Sequence, residues 1–206
     1  MNEIAWSLNA FGSRLLVTTA LNAGGVLISH FVNALNPKHP IYFIDTGVLP
    51  QETYAYYKTL CDRGFNIVKV GPDLSNDEFN SKYGQLWEKD PDKCCNIKKV
   101  TPLDTLKTGK IAWLSSLRRE QGGERKDITT FELNGGMLKI YPFAYKTRKW
   151  IDDELKNAGI PQHPLYNAGY KSIGCEHCTA PSNGGERDGR WVGNNKTECG
   201  IHKRNG

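Results

Sequence analysis

Three short apolar runs, at 15–19, 41–44 and 66–70, alternate with stretches of helical apolar spacing in the first 70 residues. Runs this short, separated by whole helices, cannot pair as hairpins. They must be joined by crossovers, which predicts a parallel sheet. The first run, Leu-Leu-Val-Thr-Thr, passes through Ala20 to Gly25 into helical spacing from Val26 to Leu35. The second, Ile41-Tyr42-Phe43-Ile44, ends at Asp45-Thr46-Gly47 and leads to a helix from Gln51 to about Arg63, stopped by Gly64. Sheets of this kind bind ligands at the carboxyl ends of their strands, where helix N-termini turn N–H groups toward anions. The loops at 18–25 and 45–50 are therefore the first candidate site.

The rest of the chain continues the pattern and then loses it. Residues 72–92 are polar and acidic, a linking loop with a short helix, and 96–108 read as helix. Ile111 to Leu114 is a buried strand candidate that delivers Leu117-Arg118-Arg119-Glu120-Gln121 to the same edge. The runs 128–133 and 137–141, separated by Asn134-Gly135-Gly136, predict a hairpin or neighbouring strands. Trp150 to Ala158 is a helix closed by Gly159. Beyond it the chain is rich in Gly, Pro, Asn and Lys, and is expected to be mobile unless tethered. The expected division is a body at 1–178 and a C-terminal tail at 179–206 within a single α/β domain, since 206 residues suit one core.

Composition removes several function classes. The net charge of +5 is spread along the chain, so a nucleic-acid partner has little support. No apolar run approaches the roughly 20 residues of a membrane span, and Met1 to Ala10 lacks the zones of a signal peptide. The expected compartment is cytoplasmic. In a reducing cytosol, six cysteines point to metal or redox chemistry before disulfides.

Four of those cysteines form a split set, Cys94-Cys95 and Cys175-Glu176-His177-Cys178. Tetrahedral zinc and an iron–sulfur cluster both use such thiols, and paired buried or disulfide-bonded cysteines are the structural alternative. The missing spacer in Cys94-Cys95 is a poor shape for a zinc knuckle and weakly favours a cluster. Cys61 sits inside a helix and reads as a small buried hydrophobe. Cys199 stands in the tail, where Lys196, His202, Lys203 and Arg204 would help hold a thiolate nucleophile. Lys98-Lys99, Arg118-Arg119, Arg187 and Arg190 lie in segments able to converge on the sheet edge, where guanidinium forks suit phosphate and sulfate oxygens. Any one of them alone is ordinarily a solvated surface charge.

Taken together and in order, these motifs resemble the sulfonucleotide reductases of assimilatory sulfate reduction, in particular the adenylyl-sulfate (APS) reductase branch. The likeness runs through Asp45-Thr46-Gly47, Cys94-Cys95 with Lys98-Lys99, Leu117 to Gln121, Gly174 to Cys178, Gly189-Arg190-Trp191 and Lys196 to His202. It implies an adenine nucleotide alpha hydrolase-like fold, a mostly parallel sheet with helices on both faces. It further implies a 4Fe-4S cluster on Cys94, Cys95, Cys175 and Cys178, with Cys199 as the catalytic cysteine that takes the sulfo group and expels AMP. The resemblance assigns substrate contacts to Thr18, Thr19, Asp45, Thr46 and Gly47 for the nucleotide, to Lys99, Arg187 and Arg190 near the sulfate, and to one or both of Arg118 and Arg119. Thioredoxin or glutaredoxin is the implied reductant, and a homo-oligomer is compatible with the family. The first loop departs from the family pattern, with Leu21 where a glycine is expected. The chain also begins close to its first strand, without much of the family's N-terminal extension. The rival substrate is 3′-phosphoadenylyl sulfate (PAPS). An adenylating enzyme of the ATP-pyrophosphatase group would need a Ser-Gly-Gly-x-Asp-Ser loop that is missing here, and a zinc- or nucleic-acid-binding module is a third class.

Overall fold

The structure is a computed structural model and describes residues 2–202. It opens with a helix that the sequence reading did not anticipate, α1 (Asn2–Phe11), which buries Ile4, Ser7 and Leu8 on one face. The expected strands follow as β1 (Leu15–Thr19), β2 (Ile41–Ile44) and β3 (Ile67–Val70), joined by α2 (Ala23–Leu35) and α3 (Gln51–Asp62). The segment at 72–92 holds α4 (Asn76–Tyr83) and α5 (Leu86–Lys89), two helices where one was expected. Ser75 and Glu78 start the first of them with a reciprocal capping box. A single winding run then comprises α6 (Pro91–Cys95), a π-turn at Asn96–Val100 and α7 (Thr101–Lys107). β4 (Ala112–Leu114), the hairpin β5 (Phe131–Asn134) and β6 (Met137–Ile140), and α8 (Arg148–Asn157) complete the elements.

The six strands form one sheet in the order β3-β2-β1-β4-β6-β5. All neighbours are parallel except β5 and β6, which pair antiparallel across the Asn134-Gly135-Gly136 turn. The order in which successive strands are added reverses at β1, which lies between β2 and β4, with Thr18 opposite Tyr42 and Leu15 opposite Ala112. A crevice opens at that switch point beyond the strand ends.

The pleat sends alternate side chains to two different layers. Leu15, Val17, Ile41, Phe43, Ala112 and Leu114 meet α1, α2, α3 and α8 in the main core. Leu16 and Trp113 face the other way, against Leu103 and Leu106 of α7 and Ile201 near the chain end. Helices thus cover both faces, and part of the second layer is supplied by the tail.

That tail was expected to be mobile unless tethered, and the tethers are present. Thr179 and Arg190 form an antiparallel bridge, and Trp191 donates its N–H to Cys178 O at 3.0 Å. Glu198, Ile201 and His202 are each held by the body. Among the described residues no helix is long and apolar enough to cross a membrane.

Candidate active site

A deep cavity lies at the carboxyl ends of β1, β2 and β4. Its floor comes from Thr18 and Thr19 at the end of β1 and from Thr46, Ser115 and Ser116 just beyond β2 and β4. Thr18 Oγ1 accepts a hydrogen bond from Trp113 Nε1 at 2.8 Å, and Thr19 Oγ1 accepts from Leu21 N at 3.1 Å. Leu21, at the position where the resemblance leads to the expectation of a glycine, is fully buried and adopts φ +54°. A left-handed backbone on a branched residue is a local strain held by its surroundings, at the loop expected to meet the nucleotide. The first turn of α2 presents less free backbone than the sequence implied. Ala23 N already donates to Tyr166 Oη at 3.0 Å, and Gly25 N to the Asn22 cap at 2.8 Å.

Asp45-Thr46-Gly47 divides its labour. Only Thr46 lines the cavity. Asp45 Oδ1 accepts from Gly47 N and from Tyr54 Oη, both at 2.9 Å, and Gly47 takes φ +73°, so these two shape the turn that aims Thr46 inward. Of the three residues expected to contact the nucleotide, the structure thus brings Thr46 to the cavity and sets Asp45 and Gly47 behind it. Of the paired arginines, Arg118 is 2% exposed and lines the cavity, paired with Glu120 and Glu186. Arg119 turns away, toward Asp127 at 3.8 Å and the Tyr145 ring, so of the pair the structure brings Arg118 to the cavity.

The opposite wall carries Arg187, Arg190 and Cys199. Arg190 donates to the backbone oxygens of Cys178 at 3.3 Å and Ile173 at 3.2 Å. Gly174 makes room for it, since a Cβ there would come within 2.5 Å of the guanidinium. Burial, and the charge of Arg125 next to it, push Arg187 below its ordinary value, to about 10. It is still cationic at pH 7. Lys196, expected near Cys199, is paired with Asp92. Lys203 and Arg204 lie outside the described residues.

The four paired cysteines line one small cavity with Lys98, Lys99 and Trp87, and the Trp87 and His177 rings stack at 4.1 Å beside it. All six cysteines are free thiols. Among the described residues no three His, Cys, Asp or Glu side chains converge on a single ion. The four thiols around one cavity are the donor type that both a zinc ion and an iron–sulfur cluster take.

The π-turn accounts for the lysines. One extra residue in the helix rotates Lys98 and Lys99 relative to Cys94-Cys95, and such bulges recur at functional sites. Lys98 Nζ donates to Thr46 O at 3.0 Å and Asn76 Oδ1 at 2.8 Å. Lys99 lines both cavities and so stands between them. Burial disfavours its charge, but Cys175 and Cys199 beside it outweigh that and hold its ammonium above the ordinary lysine value. Thr46 Oγ1 lies 3.2 Å from Cys175 Sγ, a second bridge between the two spaces.

Arg125, Arg148, Trp113, Tyr166 and Trp191 also line the deep cavity, and the sequence reading named none of them as site residues. Arg148 lies 4.2 Å from the Tyr166 ring centre, and Arg190 lies 4.5 Å from that of Trp191. Trp191 has φ +49° and a buried Nε1 without a partner among the described residues.

Residues 14–181 match the family model for the phosphoadenosine phosphosulfate reductase domain. The chain belongs to the phosphoadenosine phosphosulfate reductase domain family. Within this reductase family it is 35% identical to adenosine 5′-phosphosulfate reductase of Bacillus mycoides (strain KBAB4), covering 98% of this chain and 89% of the relative. The reductase of the same name from Bacillus cytotoxicus is 36% identical, covering 97% and 88%. Among solved structures, the phosphoadenylyl-sulfate (PAPS) reductase of Candida auris in a phosphate complex superposes with TM-score 0.77 at 25% identity, covering 87% of this chain and 89% of that one. The FMN adenylyltransferase of Candida glabrata, at 12% identity and TM-score 0.59 over 88% and 64%, shares the fold. The resemblance to sulfonucleotide reductases and the adenine nucleotide alpha hydrolase-like architecture are both borne out. The family model ends at residue 181, just inside the tail, whereas the Bacillus relatives align over nearly all of the chain.

Proposed function

We propose that this chain reduces adenylyl sulfate to sulfite and AMP, with Cys199 as nucleophile. The observation that carries the reading is the delivery of the tail thiol into a cavity that also holds Lys99, Arg118, Arg187 and Arg190. These cations gather where a phosphosulfate would lie and where charge develops as it is cleaved. The Cys199 thiolate attacks the sulfur, the bond from sulfur to the bridging oxygen breaks, and its electron pair leaves on the AMP phosphate. The product on the enzyme is S-sulfo-cysteine. A thiolate of thioredoxin or glutaredoxin then attacks Cys199 Sγ, the sulfur–sulfur electron pair leaves with sulfite, and the reductant's second thiol resolves the mixed disulfide. A nucleophile on a tail suits this sequence, because the same sulfur must meet a buried substrate and then an external protein.

Cys94, Cys95, Cys175 and Cys178 would hold a 4Fe-4S cluster, which when bound supplies a fixed electrostatic element beside Lys99 without needing to carry electrons. Lys99, reaching both cavities, would couple that element to the sulfate. A cytoplasmic setting suits six free thiols.

Sulfite release from adenylyl sulfate and from its 3′-phosphorylated form, with thioredoxin as reductant, tests the substrate. A large preference for adenylyl sulfate is expected. The strained Leu21 loop favours keeping the second nucleotide in the comparison, and a large preference for it overturns the assignment.

A further inference from the structure

The carboxylate of Glu198, one residue ahead of Cys199, receives a guanidinium fork. Arg125 Nε donates to Oε1 and Nη2 to Oε2, both at 2.8 Å. Arg187 approaches Oε2 at 3.1 Å and donates to Thr197 O at 2.8 Å. The Arg125 and Glu198 side chains are 10% and 15% exposed, so water and salt screen this pair far less than a surface one. Parallel donation to both oxygens is also the geometry that arginine supplies and lysine does not.

Arg125 is wired back to the cavity floor. Its Nη1 donates to Gln121 Oε1 at 2.7 Å, and Gln121 Nε2 donates to Glu186 Oε1 at 2.9 Å. Glu186 in turn pairs with the buried Arg118. One run of side chains therefore connects the arginine expected to meet the phosphosulfate with the residue next to the nucleophile.

We infer that Arg125 and Glu198 form a latch that sets the closed position of Cys199. They are positioning residues, and neither has to touch substrate. Downstream of the thiol the tail is held by Ile201 and His202, and upstream Glu198 is the anchor nearest to it, beside the holds on Thr197 and Lys196, so the thiol is fixed from both directions. An ion pair, unlike an apolar plug, opens without exposing a greasy surface to water, which suits a segment that must leave and return. The bearing of the latch on catalysis rests on the reading of Cys199 as nucleophile; the latch itself does not.

The test uses substrate-free protein. Wild type, Arg125→Gln, Glu198→Gln and the double variant are alkylated with iodoacetamide at fixed pH, and modification of Cys199 is read by peptide-mapped mass spectrometry. Each single variant is expected to react about tenfold faster, equivalent to about 1.4 kcal/mol lost from the closed state. The double variant should match Glu198→Gln, because Arg125 acts on the tail through Glu198, while Glu198 also meets Arg187. Arg125→Lys, which keeps the charge but loses the fork, should fall between. Unchanged or slower alkylation in either single variant, or effects that add in the double, overturns the latch. Glu198→Gln changes only the tail, and an unchanged thermal midpoint for it separates release of the tail from loss of fold. Sulfite formation by Cys199→Ser would remove the nucleophile reading and leave the latch to be judged on alkylation alone.

Discussion

The His202 imidazole lies flat on the Trp113 indole, with ring centroids 4.7 Å apart and planes 8° from parallel. The last turn of the described chain thus completes the second layer of the sheet, three residues after Cys199. Burial is the main reason the His202 pKa lies well below the ordinary histidine value, and Arg125, Lys139, Lys107 and Arg187, all cationic, add to it. The docked tail holds a neutral ring, and the free tail accepts a proton near pH 6.5.

Acidification should therefore release the tail. Docking is fully supported above about pH 6.5 and weakens as pH falls below it, because only the undocked ring takes up the proton. Hydrogen exchange across residues 195–202, corrected for intrinsic rates, is expected to be faster at pH 5 than at pH 7.5. His202→Phe keeps the stack without the titration and should lose the difference. Equal pH dependence in the two proteins would contradict the assignment.

Arg118 and Arg119 should separate cleanly. Arg119 is an exposed side chain over Tyr145, so Arg119→Ala should change stability by no more than about 0.5 kcal/mol and activity by less than about twofold. Arg118→Lys keeps a cation beside Glu186 but loses the fork, and kcat/KM is expected to drop about 10²-fold, comparable to removal of a preorganised donor. Steady-state kinetics with denaturation midpoints on both variants checks this.

These two neighbours mark the limit of what the sequence displays. The strands, the crossovers and the edge at which the site opens were all legible, because apolar runs and helical spacing are local signals with one good structural solution. Arg118 and Arg119 differ only in which way a short turn points them, and that depends on Ala144 O, which accepts from Arg119 N at 2.9 Å. Trp113 read as part of a buried strand, and its second role needed a partner 89 residues on. Arg125 follows Gly122-Gly123 among other charged residues, and nothing in the local sequence marks it out. The helix α1 was the avoidable miss, since Ile4 and Leu8 carry the i, i+4 spacing of a half-buried helix.

His163 should make stability pH-dependent through a different route. It is 1% exposed, its Nδ1 accepts from Leu165 N at 3.2 Å, and its Nε2 lies 3.0 Å from Thr53 Oγ1. Burial lowers its pKa to about 4, so between pH 6.5 and 4 the unfolded chain binds a proton that the folded one refuses. Stability is then lost as pH falls through that window, by up to about 1.4 kcal/mol per unit and about 3 kcal/mol in all. Urea midpoints at pH 7 and 4.5 should differ less in His163→Gln than in wild type, and an identical difference would refute this.

The four-cysteine cavity predicts its own metal content. Protein purified without oxygen should be brown and carry iron with acid-labile sulfide, and Cys175→Ser should lose both, because Cys175 is the buried thiol that also contacts Thr46. A colourless protein with stoichiometric zinc would overturn the cluster proposal.

The central claim is that the reactive sulfur belongs to Cys199 and that the other paired thiols are a platform. Incubating the protein with adenylyl sulfate and no thiol reductant, then mapping its peptides by mass spectrometry, tests this most directly. The account predicts one sulfite equivalent on Cys199, discharged on adding thioredoxin. No adduct, or an adduct on Cys94, Cys95, Cys175 or Cys178, would contradict it.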